Sequence, residues 1–369
     1  MPEAERTIRV GIVGTGQVGR RHMAAYAKIP GSRMVACADI DGAAARASAE
    51  AFGIPKVHAD YRDLVRRDDI DAIDVCLHNN LHAPVAVAAL RAGKHVLCEK
   101  PMAGSYRDAA AMIEASRECG RMLHIQLPAL FSNETRAAKE LIDLGELGDL
   151  YHARSTGHRR RGRPFVDGYG SPAFVQKRHA AGGALYDMGA HHIAQVLYLL
   201  GSPEILRVSG KAYQKIEMDP KRRDLSGYDV EELGLGFVRC AKGITIDVIE
   251  SWAMHIDRID GPIVVGSKGG VRLRPFGFFK SYGNIDVDAS ADLASASRRW
   301  NTVRGDGDFT SESQRHWIAA LLGKVPLFPT AEIALGTMLV SEAIYLSDRR
   351  GEEVTAEEVV RSSVSTAAW

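Results

Sequence analysis

The sequence predicts an α/β protein in two parts: a doubly wound parallel sheet over residues 1–126, then an α+β part over residues 127–369 with a large, mostly antiparallel open sheet. Three observations lead there. Up to about residue 125, short apolar runs alternate with helical periodicity, the rhythm of parallel strands covered on both faces. A glycine-rich turn, Gly14-Thr15-Gly16-Gln17-Val18-Gly19, separates the first apolar run from the first helix. After Gln126 the runs lengthen and alternate, which suits an antiparallel sheet with one covered face. A chain of 369 residues is also long for one core.

The elements follow in order. Residues 8–13 read as a strand, 17–28 as a helix, 33–38 as a strand and 41–52 as a helix. Residues 71–77 form a further strand, and a helix over 81–92 stops at Gly93. Residues 94–98 are a strand, and 105–119 a helix followed by Gly120; glycine is favoured just past a helix end. Beyond Gln126, helices are expected over 133–144 and 184–200, and strands over 234–239 and 243–251. In the last run Ile244, Ile246, Val248 and Glu250 share one face, and Thr245, Asp247 and Ile249 the other. Residues 280–310 are polar and weakly patterned and read as a long loop; 314–322 and 331–348 return to helical periodicity.

Composition narrows the function. A formal net charge of +1 gives no global reason to expect nucleic acid or a membrane as partner, and no apolar stretch reaches the length of a membrane span. The start, Met1-Pro2-Glu3-Ala4-Glu5-Arg6, is charged and runs into a strand, unlike a signal peptide. Five cysteines are an odd number without metal-like spacing, and Cys37, Cys76 and Cys98 sit at strand ends, where a thiol acts as a small apolar residue. A reducing cytoplasm, no disulfide and no metal are expected. His191 and His192 are adjacent, whereas chelation on a helix wants histidines four apart.

The glycine turn points to a dinucleotide. Gly14 permits the turn, Gly16 lets backbone approach a pyrophosphate, and Gly19 lets helix and strand pack closely, while the helix start offers free N–H groups to phosphate. Asp39 follows Gly19 by twenty residues, at the end of the second strand, where a carboxylate receives ribose hydroxyls and repels a 2′-phosphate. Ile40 comes next, with no arginine or serine beside it, so NAD is expected over NADP. Gly14, Thr15, Gly16, Gln17, Val18, Asp39 and Ile40 are the expected contacts of this half. Asp39 could instead cap the following helix, a role equally open to Asp41.

The chemistry is expected at two places. Lys100, in Glu99-Lys100-Pro101, closes a later strand of the same sheet, facing the crevice where ligands bind. In Gly182-Gly183-Ala184-Leu185-Tyr186-Asp187-Met188-Gly189-Ala190-His191-His192, Asp187 and His191 are four apart, on one helix face, where the carboxylate could orient the imidazole or form an ordinary ion pair with it. His192 lies about 100° further round and reads as structural, or at most a substrate contact.

These motifs together resemble the Gfo/Idh/MocA family of sugar and inositol oxidoreductases over nearly the whole length, including Ser341-Glu342-Ala343-Ile344-Tyr345 near the end. The resemblance implies a Rossmann domain and a catalytic Lys100, Asp187 and His191. It adds Asn79, His82, Glu99, Lys100 and Gln126 to the cofactor contacts, and it implies a cis bond before Pro101. The implied reaction oxidises a secondary alcohol: hydride leaves for the nicotinamide, and the hydroxyl proton goes to His191 or Lys100, with Asp187 tuning His191 or contacting the sugar. The chain departs from the family pattern at His78, where a proline is usual, and at Ala194, where an aspartate is usual.

The segment from His158 to Ser171 carries four arginines and leads toward the catalytic helix. They could clamp an anion, form a solvated face or contact another subunit; Arg163 and Tyr169 are expected to meet substrate, together with Lys100, Asp187 and His191. The loop resembles that of family members oxidising the C3 hydroxyl of glucosides to 3-keto-glycosides. An inositol or aldose dehydrogenase is the nearest alternative. Further alternatives are an NAD-retaining hydrolase acting by transient oxidation, a sugar–sugar oxidoreductase with permanently bound cofactor, and a noncatalytic nucleotide sensor. The resemblance, with the exposed face expected for strands 234–251, implies a homodimer or homotetramer.

Overall fold

The computed structural model describes residues 6–303 and 307–367. Residues 1–5, which carry the charged start, lie outside the described residues, as do 304–306. The first unit runs β1 (Ile8–Val13), α1 (Gln17–Tyr26), β2 (Ser32–Ala38), α2 (Gly42–Phe52), β3 (Val57–His58), α3 (Tyr61–Val65), β4 (Ala72–Val75), α4 (Asn79–Arg91), β5 (His95–Cys98), α5 (Tyr106–Glu118) and β6 (Leu123–Ile125). Its six strands are parallel in the order β3-β2-β1-β4-β5-β6. The winding reverses between β1 and β4, and the crevice at the carboxyl ends of those strands is where such sheets hold ligands. β3 and α3 are too short for periodicity to reveal. Asp41 caps α2 by accepting the N–H groups of Ala43 and Ala44, which resolves the choice between Asp39 and Asp41.

The second unit contains α6 (Asn133–Asp143), β7 (Leu150–His158), α7 (Lys177–Ala180), α8 (Ala184–Asp187), α9 (Gly189–Leu199), β8 (Ile205–Tyr213), α10 (Pro220–Ser226), β9 (Leu233–Cys240), β10 (Thr245–Ser251), β11 (Ile263–Gly266), β12 (Gly270–Arg272), β13 (Gly277–Tyr282), β14 (Ile285–Ala289), α11 (Leu293–Thr302), α12 (Ser313–Leu321), α13 (Thr330–Arg350), β15 (Val354–Thr355) and α14 (Ala356–Ser362). Nine strands join in the order β14-β13-β12-β11-β7-β10-β9-β8-β15, antiparallel except for β7 with β10. Alternation along β10 is as read: Ile246, Val248 and Glu250 are buried, and Thr245, Asp247 and Ile249 only partly so. The covered face packs on Ile193, Val196 and Leu197 of α9 and on Val340, Ala343 and Ile344 of α13.

One expectation changes. The long loop expected over 280–310 is not found over 280–302: β13 and β14 form a hairpin about Gly283-Asn284, with Gly283 at φ 62°, and α11 follows; residues 304–306 of that expectation lie outside the described residues. The hairpin lies at the sheet edge with much of both faces open, so its residues carry little alternation. Helices late in the chain also pack on the first sheet. Trp317, Ile318 and Leu321 of α12 pack with Ile8, Val10 and Ile12 of β1, and Ala331, Ile333 and Met338 of α13 join the core on the sheet's other face. Among the described residues no helix is long and apolar enough to cross a membrane.

Candidate active site

The nucleotide cradle is built by steric necessity. Gly14 sits at φ 95°, and a Cβ there would lie 2.2 Å from the Cys76 carbonyl oxygen. A Cβ on Gly19 would lie 2.0 Å from the Gly14 carbonyl oxygen, whereas one on Gly16 would meet nothing within 4 Å. Gly14 and Gly19 therefore close the turn, and Gly16 opens onto free space. Gly16 caps α1 without a side-chain hydrogen bond, leaving the helix-start N–H groups, with Gln17 and Val18 in the first turn, free for phosphate. Asp39 Oδ2 accepts the N–H and hydroxyl of Thr15 at 2.7 and 3.0 Å, and Oδ1 accepts Asp41 N–H at 3.0 Å, tying the carboxylate to the turn. Ile40 beside it is 97% exposed. The open glycine and bare helix start fit a dinucleotide.

At the other end of the crevice, the cis bond expected before Pro101 is present. β5 delivers Lys100, whose Nζ donates to Asp187 Oδ1 at 2.7 Å and to the Asp187 carbonyl at 3.0 Å. Trp252 Nε1 donates to Asp187 Oδ2 at 2.8 Å, and Arg159 Nη1 lies 3.9 Å from the same oxygen. Against the desolvation that would raise it, the Lys100 charge and these hydrogen bonds hold the Asp187 carboxyl well below the usual carboxylate range. The helix expected over 184–200 is interrupted at Met188. Among the described residues no hydrogen bond joins Asp187 to His191, contrary to the orienting pair read from their spacing: the Lys100 ammonium, brought from another strand, takes the carboxylate. Burial, then the Lys100 charge, pull His191 down to about 3, and its Nδ1 is buried without a hydrogen-bond partner. The Gln126 side-chain oxygen, at the end of β6, is likewise buried and unpartnered. His192 Nδ1 is held by Glu250 at 2.9 Å, a structural bond.

Other expected residues have different work. Asn79 Nδ2 donates to the Ala180 carbonyl, joining the two units. His82 is wholly buried, with ring nitrogens 2.8 Å from the Pro101 carbonyl and 3.1 Å from that of Leu77, and braces the Lys100 loop rather than a cofactor. The Glu99 carboxylate turns inward to His22 and to the Lys100 N–H. Arg163 is not a substrate residue: it is 0% exposed and all its donors are engaged, by Asp167, Glu232 and the carbonyls of Ile216 and Glu217. Of the four arginines, Arg159 is the one that reaches Asp187, so the group forms no anion clamp. Tyr169 is exposed, donates to the Gly162 carbonyl and lies beneath the Arg159 guanidinium. No signal in the sequence marked Trp252 or His22, and none singled out Arg159 among the four arginines; Trp252 directly follows β10.

A glycine-turn crevice ending at an ion-paired lysine and an unpartnered imidazole defines a nucleotide-linked oxidoreductase. Residues 8–127 match the oxidoreductase family with NAD-binding Rossmann fold, and residues 135–272 match the GFO/IDH/MocA C-terminal domain; the chain belongs to the Gfo/Idh/MocA family and is an NAD-binding oxidoreductase. It is similar to D-glucoside 3-dehydrogenase of Escherichia coli (strain K12), 28% identical over 360 residues, 94% of this chain and 97% of that protein. An inositol 2-dehydrogenase of Salmonella typhimurium is 37% identical over 153 residues, 40% of this chain and 46% of that protein. Among solved structures, levoglucosan dehydrogenase in complex with NADH and L-sorbose shares the fold, with a TM-score of 0.80 at 22% identity, over 95% of this chain and 99% of that one.

Proposed function

We propose that the protein oxidises a secondary hydroxyl of a sugar or glycoside with NAD, at C3 of a glucoside, giving a 3-keto-glycoside. The observation carrying the chemistry is the Lys100 ammonium held 2.7 Å from Asp187 at the crevice end of β5, with His191 one turn further along the chain. The similarity to D-glucoside 3-dehydrogenase, which spans nearly the whole of both chains, supports the substrate. Inositol 2-dehydrogenases match over a shorter stretch, and an inositol or aldose is the second reading.

Bound NAD supplies the hydride acceptor. The substrate hydroxyl lies between Lys100 and His191. Lys100 donates a hydrogen bond to the oxygen and stabilises the negative charge that grows as the O–H bond breaks. His191, held neutral by burial and by Lys100, accepts the proton. The carbinol hydrogen leaves with both electrons of its C–H bond, so a ketone remains. Asp187, shared between Lys100 and Trp252, fixes the ammonium. Asp39 repels a 2′-phosphate, supporting NAD over NADP. The mixed apolar and charged face of the second sheet, with Phe237 38% exposed, supports a second copy packing there as a dimer or tetramer.

Lys100→Met and His191→Ala test the division of the site. Each is expected to lower kcat by at least about a hundredfold. NADH affinity, read by fluorescence titration, stays within about threefold, a change of ~0.7 kcal/mol. Collapse of NADH affinity with normal kcat would refute the assignment.

A further inference from the structure

Beneath the reactive lysine runs a polar chain that the steps above leave unused. His22 lies on α1, in the turn after Gly19, with 2% of its side chain exposed. Its Nδ1 is 2.8 Å from Asp74 Oδ2 in β4, and its Nε2 is 2.8 Å from Glu99 Oε1 just past β5. The other Glu99 oxygen accepts the Lys100 backbone N–H at 2.9 Å. A carboxylate only accepts, so an imidazole bonded to two of them carries hydrogen on both nitrogens and is a cation. Burial opposes that charge, but Asp74 and Cys76 together outweigh it and His22 is raised well above its ordinary value. Glu99 is held below its ordinary range, because His22 and Lys100 outweigh its desolvation.

We propose that Asp74, His22 and Glu99 form a buried positioning relay that fixes the Glu99-Lys100 peptide and thereby aims the Lys100 ammonium at the reacting oxygen. The proposal rests on Lys100 being catalytic. It ties the helix that closes the nucleotide cradle to the residue that meets substrate, through three elements of the first sheet unit. The groups facing the relay are Tyr26 on α1, Cys76 after β4, Cys98 in β5, His82 on α4, Lys100 and His191. Burial pushes Cys76 up to about 12 and Cys98 above its ordinary value, so both thiols are neutral, and burial pulls His82 down. Asp74, His22 and Cys76 are close enough to share a metal ion. Yet the His22 Nδ1 faces Asp74 across a hydrogen bond and the thiol stays protonated, so the cluster is bound together by protons.

The relay makes opposite predictions for its two ends. Glu99→Gln removes a negative charge beside Lys100, and His22→Gln removes a positive one. The full-length protein is labelled with acetic anhydride at a fixed mildly alkaline pH, and Lys100 acetylation is read by peptide mass spectrometry against exposed Lys242 as internal reference. Lys100 is expected to react about threefold faster in E99Q and about threefold slower in H22Q. With methyl β-D-glucopyranoside and NAD, kcat is expected to fall at least about tenfold in each variant, while NADH affinity moves less than about threefold. The double variant should be no worse than the poorer single one, because the residues act as a unit. Unchanged Lys100 reactivity in both variants, or losses that multiply in the double, would overturn the relay. If H22Q does not fold, E99Q carries the test, and unaltered labelling and kcat in it overturn the proposal. If methyl glucoside is not turned over, the labelling decides. K100M separates the two readings: normal kcat in K100M removes Lys100 from catalysis, whereas an inactive K100M beside a wild-type-like E99Q removes only the relay.

Discussion

Replacing Arg163 by methionine separates a structural arginine from a substrate ligand. The guanidinium donates from Nε and Nη2 to the two Asp167 oxygens at 2.9 and 3.1 Å, and from Nη1 to Glu232 Oε2 at 2.9 Å. Nη1 and Nη2 also reach the carbonyls of Ile216 and Glu217. All five N–H groups are thus engaged. The two carboxylates are themselves only 8% and 2% exposed. Breaking such a pair from one side costs about 3–5 kcal/mol, since the partners stay buried. Here Glu232 keeps the N–H groups of Lys215 and Ile216, and Asp167 keeps the Arg163 N–H, which places the loss near the lower end, about 3 kcal/mol. At about 2–4 °C per kcal/mol, Tm should drop by roughly 6–12 °C. Arg163→Lys, with a point charge in place of the planar fork, should recover only part of that. The assays are scanning calorimetry and the KM for sugar measured well below the transition. The folded variant should keep KM within about threefold, a change of ~0.7 kcal/mol. An unchanged Tm with KM raised tenfold or more would mean that Arg163 contacts substrate and that its burial has been misread.

Three further outcomes are expected. Asp39→Ala should weaken NAD binding and narrow its advantage over NADP, with Arg46, whose guanidinium lies over Gly42, then able to meet a 2′-phosphate; an unchanged preference in a two-cofactor kinetic comparison would remove Asp39 from the ribose site. Gly19→Ala should fail to fold or melt far below wild type, because its Cβ would lie 2.0 Å from the Gly14 carbonyl oxygen, whereas Gly16→Ala, facing open space, should melt normally and lose affinity for NADH in a fluorescence titration. Wholly buried His124, bonded by the hydroxyls of Thr330 and Ser313, is held down to about 3 by burial and then by His316. The unfolded chain therefore binds a proton below about pH 6.5 that the folded chain refuses, so this contribution to stability is full above that pH and declines toward pH 3 by at most about 1.4 kcal/mol per unit. Urea midpoints at neutral and mildly acid pH should show a shallower slope in His124→Gln than in wild type.

The fold was legible where local pattern and global role coincide. The glycine turn, the strand before it and Asp39 at its distance could be read together because they belong to one compact βαβ unit. The β13–β14 hairpin escaped because an edge strand with open faces needs no alternation, although Gly283-Asn284 marked its turn. In the site, Lys100 was readable from its place at a strand end. The spacing of Asp187 and His191 misled, because the partner that wins the carboxylate comes from 87 residues away. Nothing local distinguishes buried Arg163 from cleft-facing Arg159, four residues earlier; the fold of the loop decides. His22 was silent for the same reason, its partners lying 52 and 77 residues along the chain.

The central claim is hydride transfer from a sugar hydroxyl to NAD. It is tested most directly by following NADH absorbance when the purified protein and NAD meet a panel of glucosides, inositols and free aldoses, with mass analysis of the products. The account predicts NADH formation with glucosides and a product two mass units lighter than the substrate. NADH from inositols or aldoses alone would overturn the substrate while keeping the chemistry. Release of aglycone without NADH, or no reaction with any member of the panel, would contradict the claim.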